Sequence, residues 1–109
     1  MAHLQSRMDY ASGLFHTAEY EEAKIIFNHL LKIYTKQEHV EKMCLCLYRL
    51  ACIAYIQGEM KKFDELFHDY KTLIPKTEHR KLLAEYAFLK GLKELSVQHY
   101  AQAIQAFLN

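Results

Sequence analysis

Three phenylalanines, Phe27, Phe67 and Phe107, stand 40 residues apart, and the residues around them repeat as well. Tyr20-Glu21-Glu22-Ala23 leads into Phe27, and Tyr100-Ala101-Gln102-Ala103 leads into Phe107. Midway, Met60-Lys61-Lys62-Phe63 leads into Phe67, and the small residues Ala11, Ala51 and Gly91 keep the same interval. A fixed period with matched chemistry marks a repeat architecture, in which one unit cannot bury its apolar face alone and stacks on the next. Repeats at about 1–36, 37–76 and 77–109 account for the whole chain as a single domain.

Within each unit the apolar residues follow helical spacing. Ala23, Ile26, Phe27, Leu30, Leu31 and Tyr34 fall on one stripe, and Phe63, Leu66, Phe67, Tyr70, Leu73 and Ile74 on another. Three Gly and one Pro among 109 residues leave too few turn formers for a sandwich or barrel of short strands. Breaks are expected at Thr17-Ala18, Thr35-Lys36, Gly58-Glu59, Pro75-Lys76-Thr77 and near Gln98-His99. Thr35 followed by Glu38 has capping-box spacing, and Gly58 is placed to end a helix. The reading is all-α, with six helices at about 2–16, 19–34, 36–57, 60–74, 77–97 and 99–108.

A helix pair with a small residue on its first helix, then an aromatic-x-x-Ala and a later Phe on its second, resembles the tetratricopeptide repeat. The 40-residue unit with long first helices is similar to the divergent repeats of bacterial peptide-sensing regulators of the Rap and PlcR type. That resemblance implies three antiparallel helix pairs stacked as a right-handed solenoid, with ligands on the concave face lined by first helices. It places Gln5, Met8, Ser12 and Phe15 on that face, then Leu45, Tyr48, Cys52 and Tyr55 with Arg49 near the edge, then Glu85, Phe88, Leu92 and Leu95. Such a lining suits an apolar or amphipathic segment of a protein or peptide partner. The same aromatic stripe is also what a helix core looks like, so core packing and partner groove both remain open. A carboxylate-tail clamp is not expected, because Met8, Ser12, Tyr48 and Cys52 stand where such domains use Lys and Asn.

Charge and motifs exclude several function classes. Fourteen Lys and Arg against thirteen Asp and Glu give +1, without the basic footprint of a nucleic-acid binder or an anionic-membrane patch. The longest apolar run, Leu50 to Ile56, is far short of a membrane span. The start of the chain lacks the charged and apolar regions of a secretory signal. Cys44, Cys46 and Cys52 are odd in number and share one apolar helical stretch, which fits core thiols in a reducing, cytoplasmic setting. The seven His never pair at i+3 or i+4, and no phosphate loop, nucleophile elbow or HExxH appears, so no metal, cofactor or catalysis is expected. The chain stops on Ala106-Phe107-Leu108-Asn109 without a polar capping helix. Ile104, Phe107 and Leu108 would then form an open apolar edge. Two explanations fit: a homo-oligomer closed over that edge, or a fragment of a longer repeat array. The alternative function is therefore a structural oligomerisation module.

Overall fold

The structure, a computed structural model, describes residues 2–76 and 80–108; the side chains of Ala2, Lys76, Arg80, Tyr100, Ala103 and Phe107 fall outside that description. Five α-helices follow one another: α1 (Ala2–His16), α2 (Tyr20–Lys36), α3 (Val40–Ile56), α4 (Met60–Leu73) and α5 (Arg80–Leu108), with a 3-10 turn at Ile74–Lys76 after α4. Each of the first four helices packs on its successor, and α5 lies against both α3 and α4. The fold is all-helical among the described residues.

The first three connections are copies of one turn. Ala18, Glu38 and Gly58 all adopt the left-handed conformation, at φ 64°, 55° and 75°. After α1, the Ala18 amide donates to Phe15 O and the Glu19 amide to Leu14 O. The pattern repeats as Glu38 to Thr35 with His39 to Tyr34, and as Gly58 to Tyr55 with Glu59 to Ala54. This paired bonding is the Schellman motif, which satisfies carbonyls that the helix end would leave open. The 40-residue period is thus two helix-plus-turn steps of equal length.

Only the third of these turns has the residue its backbone prefers. A left-handed conformation costs a side-chain-bearing residue about 1–2 kcal/mol, and glycine almost nothing. Glu38→Gly is expected to stabilise the domain by about 1 kcal/mol, and Gly58→Ala to destabilise it by a similar amount. A Cβ at Gly58 would meet nothing within 4 Å, so that loss comes from the backbone alone. Urea midpoints at unchanged m-value measure both.

The second break therefore lies at 37–39 and not at Thr35-Lys36. The capping box does not form, because Thr35 is still inside α2, where its hydroxyl donates to Leu31 O at 2.6 Å. His39 caps α3 instead, its Nδ1 accepting a long 3.5 Å bond from the Lys42 amide.

The core is centred on α3. Cys44, Cys46, Leu47, Leu50, Ala51, Cys52, Ile53 and Ala54 are all buried, so this helix is covered on most sides. Around it, α1 contributes Met8, Ala11 and Leu14, and α2 contributes Ala23, Phe27, Leu30 and Tyr34. From α4 come Phe63, Leu66 and Tyr70, and from α5 come Leu82 and Leu89. The 40-residue phenylalanine series does not hold one environment: Phe27 is fully buried, whereas Phe67 is only partly so. Phe63, in the place Ala23 occupies in the first unit, is fully buried in the second. It stacks on Phe67 at 6.1 Å, and Phe67 in turn stacks on Tyr86 of α5 at 5.9 Å.

The last unit departs from expectation. No break occurs near Gln98-His99; α5 runs unbroken to Leu108, so the third antiparallel pair does not form. That segment holds no glycine, proline or left-handed residue, and without one the hydrogen-bond ladder simply continues. Gly91 fits this picture, since a Cβ there would meet nothing within 4 Å, unlike a small residue held under a crossing helix. Beyond the buried Ser96, every described side chain of α5 is exposed. Of the expected edge residues, Ile104 and Leu108 are 61% and 78% exposed, and the Phe107 side chain lies outside the described residues.

Candidate functional site

Helical spacing brings one group of expected site residues together across three helices. On α3, Tyr48 meets Phe88 of α5 edge to face, with ring centroids 6.2 Å apart. The next residue, Arg49, lays its guanidinium over Phe15 of α1 at 4.8 Å and over the Tyr48 ring at 5.6 Å. Phe15 also meets Tyr20, the first residue of α2, edge to face at 5.8 Å. The contacts Phe15–Arg49–Tyr48–Phe88 therefore form one unbroken strip from α1 through α3 to α5. Ser12 and Leu92, one turn from Phe15 and Phe88 respectively, are half-buried beside it. Phe88 keeps 51% of its surface in solvent and Leu95, two turns further, 47%.

Other expected groove residues lie elsewhere. Met8 and Cys52 are buried in the core and present almost no surface to a partner. The reason is packing: consecutive helices press on α1 and α3 from more than one side, so their inward stripe is wider than the groove reading allowed. Tyr55 is half-buried and edge-to-face with Phe63 at 5.6 Å, which makes it part of the α3–α4 contact. At the far end of α1, Gln5 donates to Asp9 and accepts from Lys42 of α3 at 3.0 Å, a polar tie between the two helices.

Burial sets the electrostatics of the strip. It pushes the Tyr48 hydroxyl up to about 12, and the Cys52 thiol, hydrogen-bonded with it, to about 11. Both groups are neutral across the physiological range. Beside them lies the guanidinium of Arg49. Its Nε is completely buried with no hydrogen-bond partner, and among the described residues no carboxylate forms an ion pair with it.

The link between α4 and α5 is a feature that sequence reasoning did not single out. Tyr70 is fully buried and donates to Leu82 O at 2.7 Å, with Glu85 Oε1 at 3.5 Å. Burial, together with the nearby Glu85 charge, raises the Tyr70 hydroxyl far above its ordinary value. Glu85, placed on the groove by the sequence reading, is itself buried. The signal was present in the spacing of Phe63, Phe67 and Tyr70, three aromatics on one helical face, of which only the apolar content was used.

Among the described residues there is no group of three or more His, Cys, Asp or Glu able to hold a metal ion. No helix among them is long and apolar enough to cross a membrane. No protein-family model, curated protein or solved structure matches the chain.

Proposed function

We propose that this chain is a non-catalytic scaffold that binds a protein or peptide on the face shared by α1, α3 and α5. The proposed architecture is a right-handed, tetratricopeptide-like stack. In it, α1–α2 and α3–α4 are two complete pairs, and the first half of α5 opens a third unit. The observation that carries the reading is the strip Phe15–Arg49–Tyr48–Phe88, anchored at the protein and open at Phe88. Rigid aromatics give large contact area at low entropic cost, and binding energy concentrates on such anchors. An amphipathic or extended segment is the ligand this lining suits, as in the sensor part of a regulator. Three unpaired buried thiols fit a reducing, cytoplasmic setting, and no cofactor is invoked.

Selection of displayed peptides on the folded domain tests the proposal. Phe88→Ala is expected to weaken the selected peptides about tenfold or more while leaving the melting temperature nearly unchanged, because Phe88 is half in solvent. Equal binding by the variant would move the site elsewhere.

A second reading is self-association through the far end of α5. Val97, Ile104 and Leu108 are all more than half exposed there, and the stretch from Val97 to Leu108 contains no Asp, Glu, Lys or Arg.

A further inference from the structure

We propose that the partner of this face presents an aspartate or glutamate side chain to Arg49, next to an apolar or aromatic residue that lies on Phe88. The inference deepens the scaffold reading and rests on it. Arg49 is held between the Phe15 and Tyr48 rings, 4.8 and 5.6 Å from their centroids, so its orientation is set before any ligand arrives. A guanidinium cannot shed its charge by deprotonation, and with Nε sealed and unpartnered this one has lost part of its hydration. Among the described residues no carboxylate lies within ion-pair distance of Arg49, although buried Glu85 is close enough to act on both Tyr48 and Cys52. Tyr48 and Cys52 themselves are neutral.

The geometry also narrows how an anion can approach. Nε is sealed in the protein without a partner, so an anion can reach the half-buried guanidinium only at its two terminal nitrogens. Those two donors match the two oxygens of a carboxylate end-on. Phe88, reached through Tyr48, sits on the next helix with half its surface open, ready to take the neighbouring side chain of the same segment. Charge complementarity thus selects an acidic segment over a neutral or basic one.

The test uses the 109-residue chain and three series of short synthetic peptides rich in Leu, Phe and Tyr. The series are identical except that one central position is Glu, Gln or Lys. The expected result is that the Glu series binds about tenfold more tightly than the Gln series at low salt, with the Lys series weakest. High salt should shrink that preference, and Arg49→Gln should abolish it while residual binding of the Gln series persists. Because Arg49 also packs on Phe15, Arg49→Gln is checked by its melting curve. If that variant does not fold, Arg49→Lys, which keeps the charge and loses the fork, is expected to reduce the Glu preference several-fold. Equal binding of the Glu and Gln series overturns the acidic-partner inference and leaves the scaffold face standing. A Glu preference that survives in both Arg49 variants also overturns it. Failure of every series to bind, including peptides selected on the domain itself, overturns the scaffold reading too.

Discussion

Phe63→Ala and Phe27→Ala are each expected to cost about 3–5 kcal/mol, and Phe67→Ala markedly less. Both large effects have the same origin. Phe27 of α2 and Phe63 of α4 are fully buried, the latter against Tyr55 and Phe67. Truncation leaves a cavity that the close-packed helices around α3 cannot fill. Phe67 lies at the margin, stacked between Phe63 and Tyr86, so its loss removes contact area without opening an enclosed void. For a domain of this size each kcal/mol moves the melting temperature by roughly 4–8 °C, so thermal unfolding separates the cases plainly. A loss at Phe67 as large as that at Phe27 would show that the 40-residue register, and not burial, decides the energetics.

The domain should also lose stability steeply in mild alkali. Burial pushes the thiols of Cys44, Cys46 and Cys52 from 9.0 up to about 11, 12 and 11. In the unfolded chain they ionise near their ordinary value, so above it the unfolded state holds fewer protons than the folded one. Stability is therefore complete below about pH 8.5 and falls as pH rises towards the folded values. Each thiol contributes about 1.4 kcal/mol per pH unit in that window, and the three together about 4 kcal/mol by pH 10. Urea unfolding in reducing buffer between about pH 7.5 and 10 measures the slope. Replacing Cys46 with Ala should flatten the slope by about a third. A stability that stays level to pH 10 would mean that the thiols are not held in the interior.

Much of this architecture was legible because periodicity and burial coincide in α2, α3 and α4. Ala23, Phe27, Leu30 and Tyr34 occupy one stripe in the sequence and are the four buried residues of α2. The turns were partly hidden. Gly58 announces its left-handed backbone, whereas Ala18 and Glu38 adopt the same conformation without a glycine to mark it. Twenty-residue spacing from Gly58 would have located both. The far half of α5 misled for the opposite reason. Tyr100-x-x-Ala103 with Phe107 repeats the phrase of α2, yet a phrase describes which face a helix offers and not where the chain turns. Gln98-His99 carries neither a glycine nor a left-handed residue, and the helix runs through it.

The candidate site was legible as a face and not as a set of contacts. The repeat resemblance placed Phe15, Tyr48, Arg49 and Phe88 on one face of first helices, and the structure brings them into contact. Spacing could not tell that Met8 and Cys52 are buried in the core. Nor could it show that no ion pair among the described residues includes Arg49, since that depends on which carboxylates lie on neighbouring helices.

The most direct test of the central claim is heteronuclear NMR of the labelled domain titrated with a peptide selected on it. The account predicts shifts concentrated at Phe15, Tyr48, Arg49, Phe88 and Leu92, across α1, α3 and α5. Shifts confined to Val97–Leu108, appearing on raising the protein concentration alone, would contradict it and assign the domain's role to self-association.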